Sequence, residues 1–274
     1  MSYQNPYNPN SFRSLPVVVK NLLIINILMF ALTLLFKSQF GIDLNDKLGL
    51  HFVLSQEFQP YQIITYMFMH STDDFFHLFF NMFALWMFGN TLENLWGPKR
   101  FLIYYLITGI GAAVCHYTVI YFQLNDTLNF INAYIANPSL SAFDEFANAV
   151  GLTQDAHYLL SQHSPNEAIQ ISVDMMRNYK IELLNAPVII GASGAIFGIL
   201  LGFGMLFPNT PLMFMFLPIP IKAKWFVIGY GLIELVSGIK GAVGDNVAHF
   251  AHLGGMLFGF ILIKYWQKNK KTFY

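Results

Sequence analysis

Six stretches of mostly apolar residues, each about the 20 residues that cross a hydrocarbon core, constrain this chain more than any other feature. Five stand out, at about 16–37, 75–92, 101–122, 187–207 and 246–266. The sixth, about 223–240, carries Glu234 and is otherwise apolar. The composition agrees: 55% of residues are hydrophobic and only 11% are charged, against roughly 25% charged in a soluble domain. A chain this apolar could not cover a water-facing surface. That excludes a soluble globular enzyme and a disordered chain. Lys and Arg number 15 and so do Asp and Glu, which leaves no basic excess for nucleic acid. The single cysteine, Cys115, excludes an intramolecular disulfide framework and a Cys-rich metal site. The expected class is an all-α, multi-pass integral membrane protein, in the plasma membrane if the source is bacterial.

Positive charge sets the orientation. With the N-terminus in the cytoplasm, the inner segments hold 10 of the 15 basic residues, Lys99, Arg100, Lys222 and Lys224 among them. Nearly every acid falls outside; only Glu93 and Glu234 lie elsewhere. Six spans with both termini cytoplasmic follow. The expected layout is a cytoplasmic segment 1–15, a membrane domain 16–266 and a cytoplasmic tail 267–274. The start lacks the charged-then-apolar-then-small pattern of a signal peptide, so the first span is expected to stay as an anchor. Pro211–Phe216 is too short to span and reads as a connecting loop. An outer insertion, 123–186, is acidic and Asn-rich with weak helical periodicity near Asp144–Val150 and Ala168–Leu184. It reads as a solvated cap with a few short helices, or as a specific binding segment.

Polar groups inside a bilayer are expensive and mark function. His77, Asn81, Ser193 and His252 each lie within about two turns of an outer span end, about 10 Å deep at 1.5 Å per residue. His77 and Asn81, spaced i, i+4, share one helix face and can donate to one point. Paired donors of this kind stabilise a developing oxyanion; the plainer reading is a hydrogen bond between helices. Glu234 reads as a protonated or hydrogen-bonded interhelical residue.

Ser193 lies in Gly191-Ala-Ser-Gly-Ala-Ile-Phe-Gly198, at a helix start. Gly194, Gly198 and Gly202 form a small-residue ladder, and so do Ala251, Gly255 and Gly259. Faces of this kind let helix backbones nearly touch. If the two meet, Ser193 and His252 come within hydrogen-bonding distance as a nucleophile and its general base. Neither face carries Asp or Glu, so a dyad fits better than a triad. His249, three residues before His252, is the competing base. Gly255 and Gly259 continue the row of His252, which favours His252. His77, His249 and His252 also raise zinc, but no HExxH motif or carboxylate ligand accompanies them, and no metal is expected.

His77-Leu-Phe-Phe-Asn81, Gly191-Ala-Ser-Gly-Ala-Ile-Phe-Gly198 and Ala251-His-Leu-Gly-Gly-Met-Leu-Phe-Gly259, in that order, resemble the rhomboid intramembrane serine proteases. Phe88–Phe101 resembles their junction of second and third spans. The resemblance implies a six-helix bundle with Ser193 as nucleophile and His252 as general base and acid. It implies an oxyanion hole of His77, Asn81 and the Ser193 backbone N–H. Gly191 would keep the approach to the serine open, with Gly194, Gly255, Phe197 and His249 in supporting positions. No cofactor is implied. The implied substrates are other membrane proteins, cut near the outer face in a helix unwound from the bilayer. Three departures stand out. Tyr61-Gln62 replaces the usual Trp-Arg, Phe197 replaces a Tyr that packs on the histidine, and the 123–186 insertion is long. The alternatives are a catalytically dead, client-binding relative, in which the Ser or His would be lost, and a transporter. The apolar inner halves Ile199–Phe207 and Met256–Ile263 argue against a transporter.

Overall fold

A computed structural model describes residues 15–151, 153–214, 217–240 and 248–268. Nearly all of the expected 1–15 segment, most of the 267–274 tail and the first residues of the last expected span therefore lie outside the described residues. The chain is mostly helical and divides into two compact units. One comprises Met1–Leu50, Pro60–His116 and Ile189–Tyr274; the other comprises His51–Gln59 and Tyr117–Val188.

In chain order the long elements are α1 (Val17–Phe40), α2 (Phe75–Trp96), α3 (Pro98–Ala136), α4 (Leu140–Val150), α5 (Thr153–Ser161) and α6 (Pro165–Asn185). There follow α7 (Ser193–Leu206), strands β1 (Pro211–Phe214) and β2 (Leu217–Lys222), α8 (Ala223–Lys240) and α9 (His249–Lys268). Among the described residues α1, α2 and α3 are long and apolar enough to cross a membrane, and α7 is a shorter apolar helix. Apolar side chains also cover the outward faces, with Ile24, Leu28, Phe76, Phe80, Leu232 and Ile261 exposed.

Each sequence-level span has a helix, but the bounds differ. α3 runs for 39 residues, about 58 Å, well past the expected 101–122. The stretch expected at 187–207 is helical only from Ser193, so α7 has 14 residues, about 21 Å. The lead-in is extended, with Val188–Ile189 as a short strand, and Gly191 gives its N–H to the Tyr66 carbonyl at 2.9 Å. Pro211–Phe216, read as a loop, starts an antiparallel hairpin in which Pro211 faces Lys222 and Leu212 faces Ile221; its last two residues lie outside the described residues.

In the first unit, the start of α1 is held by Glu93 of α2. Its buried carboxylate accepts from the Val18 and Val19 N–H groups at 2.9 and 2.7 Å. These donors have no partner within a helix, and Pro16 before them has no capping side chain. A π turn, Leu85–Gly89, interrupts α2. Three α7 glycines face a row on α3. A Cβ on Gly194, Gly198 or Gly202 would run into Ala112, Thr108 or Tyr104 respectively. The Tyr104 hydroxyl donates to the Gly198 carbonyl at 2.7 Å.

The second unit is more than a solvated cap of short helices. Phe143, Phe146 and Ala147, at i, i+3 and i+4 of α4, pack with Ile131, Tyr134, Val173 and Met176 into a core of its own. The expected helical periodicities fall within α4 and α6. The hydroxyls of Tyr134 and Ser172 are hydrogen-bonded inside it at 2.5 Å. α6 opens on a capping box, Ser164 with Glu167, and Pro165 at its first position.

Candidate active site

Two glycine faces bring the chemistry together. α7 and α9 pack closely along their length. Gly255 sits directly on the Gly194 carbonyl, where any Cβ would collide with it. A Cβ on Gly259 would lie 3.4 Å from the Gly198 Cα. Backbones this close set the first turn of α7 beside the first turn of α9, and His252 Nε2 lies 2.9 Å from Ser193 Oγ.

Ser193 is the first residue of α7. The first bond into the helix runs from the Ile196 N–H to the Ala192 carbonyl at 3.0 Å. The N–H groups of Ser193, Gly194 and Ala195 therefore have no partner within α7. Gly191 has φ 118°, a conformation L side chains rarely adopt. A Cβ there would stand 3.0 Å from the His77 ring and 3.7 Å from Ser193 Oγ. Only glycine both takes this backbone shape and leaves the space in front of the hydroxyl open.

The His252 ring is held on three sides. It stacks on Phe197 with centroids 4.1 Å apart and planes 8° from parallel. The departure from Tyr to Phe thus leaves the stacking intact. Its Nδ1 donates to Glu234 Oε2 at 2.8 Å. His249 Nδ1 donates to the same oxygen at 2.6 Å. The sequence-level dyad rested on α7 and α9 carrying no acid, but the carboxylate arrives from a third helix, α8, and is buried. His249 does not take the place of His252. It stands 6.5 Å from it, ring edge to face, and shares the Glu234 Oε2 with it.

His77 opens onto the site across Gly191. Asn81 is buried one turn further along α2, and its Nδ2 donates to the His77 carbonyl at 2.9 Å. One amide hydrogen is thus engaged within the helix and one remains for a ligand. His70, in the loop before α2, was not singled out in the sequence. It is buried against His77, ring centroids 5.1 Å apart, and burial pushes its pKa down to about 3. The ring beside the site is therefore neutral. Tyr61 is exposed and Gln62 is buried, and the Gln62 amide donates to the Lys47 carbonyl at 3.3 Å.

Glu234, His249 and His252 also form the one group of potential metal ligands among the described residues, with donor atoms within 4.8 Å of one another. Two ligands each about 2.0–2.1 Å from a tetrahedral zinc stand about 3.3 Å apart. The 2.6 and 2.8 Å separations at Glu234 Oε2 are those of hydrogen bonds. An ion would have to displace both protons and spread the cluster.

A family model described as the rhomboid domain matches residues 57–124 and 156–268. The chain belongs to the rhomboid family. No curated protein matches it closely enough to count as a relative. The rhomboid match together with the apolar helices makes this an integral membrane protein, in a family made up in general of intramembrane serine proteases. The matched segments contain His77, Asn81, Ser193, Glu234, His249 and His252, and leave out 125–155, where α4 lies.

Proposed function

We propose that this rhomboid is an intramembrane serine endopeptidase that cuts transmembrane segments of other membrane proteins near the outer face. The observation that carries the reading is the 2.9 Å contact of Ser193 Oγ with His252 Nε2, beside a glycine that leaves the hydroxyl open to a peptide. In this reading Ser193 Oγ attacks the scissile carbonyl carbon as its proton passes to His252 Nε2. The carbonyl oxygen becomes an oxyanion bound by the Ser193 N–H, the His77 ring and the free Asn81 amide hydrogen. His252 then returns the proton to the leaving amide nitrogen as the C–N bond breaks, and water hydrolyses the acyl-enzyme by the same steps. No cofactor takes part. Six spans with both termini cytoplasmic fit the charge distribution, and this orientation puts Ser193 toward the outer face.

A fluorophosphonate probe on the detergent-solubilised protein tests the reading. The wild type is expected to be labelled and Ser193→Ala to be unlabelled, with both folded. Equal labelling of the two would reject Ser193 as nucleophile, and no labelling of either would favour the client-binding alternative.

The oxyanion donors act as a set. Losing one such donor lowers kcat by about 10²–10³ in a soluble hydrolase. His77→Ala and Asn81→Ala are each expected to fall short of that, because the other donors remain. The double variant is expected to lose more than the product of the two. Single variants with wild-type turnover of a single-span substrate would reduce both residues to helix packing.

A further inference from the structure

We infer that Glu234 is a positioning residue for His252, making the site a Ser193–His252–Glu234 relay braced by His249; this rests on the serine-protease reading above. Glu234 is buried on α8, and one of its carboxylate oxygens takes both neighbouring imidazoles, His252 at 2.8 Å and His249 at 2.6 Å. A neutral imidazole carries one proton, on either nitrogen. The carboxylate can only accept here, so it holds that proton on Nδ1. The Nε2 lone pair is then the atom 2.9 Å from the Ser193 hydroxyl. Without Glu234, Nδ1 would lose the acceptor that fixes its proton, and the Nε2–H tautomer would gain. That tautomer cannot receive the serine proton.

The second role comes during the reaction. When the Ser193 proton moves to Nε2, His252 becomes a cation in a site with few other charges. Glu234 faces that cation directly. It keeps its negative charge throughout and takes no proton, since the proton goes on from Nε2 to the leaving nitrogen. Among the described residues, the other titratable groups around the pair are Tyr230 one turn back on α8, His249 on α9, His77 on α2 and His116 on α3. None of these is a carboxylate. Phe197 closes the remaining face from α7. His249 uses its own Nδ1–H on Glu234 Oε2 and so fixes the carboxylate rather than touching the serine.

The test is turnover of a single-span substrate by Glu234→Gln and Glu234→Asp, with fluorophosphonate labelling and the thermal midpoint of each. Glu234→Gln keeps the shape and loses the charge and the obligatory acceptor. It is expected to lower kcat at least about 100-fold with KM changed less than about threefold and the midpoint unchanged. Replacing the acid of a soluble triad costs about 10⁴-fold. Glu234→Asp is expected to recover part of the loss. A Gln variant within about tenfold of wild-type kcat would overturn the relay while leaving Ser193 labelling, and with it the protease reading, in place. An unlabelled wild type would overturn both. Should the Gln variant fail to fold, nitrogen-15 NMR of histidine-labelled wild type decides: a proton on His252 Nδ1 supports the relay, and one on Nε2 overturns it.

Discussion

His252→Ala is expected to lower both cleavage and fluorophosphonate labelling by at least about 10⁴-fold, whereas His249→Ala keeps more than about a tenth of each. Removing the general base of a soluble serine hydrolase costs up to about 10⁶-fold. The asymmetry follows from which atoms face the serine. His252 Nε2 is 2.9 Å from Ser193 Oγ, and it is the acceptor in line for the hydroxyl proton. His249 reaches the site only through Glu234 Oε2, at 2.6 Å. Its loss leaves the Glu234–His252 bond of 2.8 Å in place. Single-turnover cleavage of a reconstituted single-span substrate reads the difference. An inactive His249→Ala beside an active His252→Ala would invert the assignment.

Among the described glycines, Gly255 is where an added methyl group is expected to do the most damage, as Gly255→Ala. Its Cβ would enter the Gly194 carbonyl, a backbone atom that cannot rotate aside. Overpacking costs about 1–3 kcal/mol where side chains can yield, and occasionally more. Here α7 and α9 must part, so the top of that range or beyond is expected. A separation of even about 1 Å breaks the Ser193–His252 contact, and labelling should fall more than about 100-fold. Gly229→Ala, on α8, is the control. A Cβ there meets nothing within 4 Å, and removing a helix-interior glycine changes stability by about 1 kcal/mol or less, toward the favourable side. Thermal midpoints in detergent compare the two. Equal midpoints and equal labelling would show that α7 and α9 do not pack on these glycines.

What could be read from the sequence was whatever repeats or costs free energy locally. Apolar length marked the long helices of the first unit, because a single segment of this length satisfies its own backbone in a bilayer as a helix. The two small-residue ladders announced the α7–α9 contact, because only residues without bulk let backbones touch. Ser193 and His252 were singled out by their depth in the spans, by these ladders and by the family motifs together, and Gly255 on Gly194 is the physical form of the ladder contact. Tertiary structure decided the rest. The partner of Glu234 could not be read, since an isolated acid in an apolar stretch shows that it must be satisfied but not by which helix. The extended lead-in before Ser193, where a span was expected from about 187, was equally hidden. There the Tyr66 carbonyl takes the Gly191 N–H, and a hydrogen bond between segments so far apart in the chain leaves no local pattern in either.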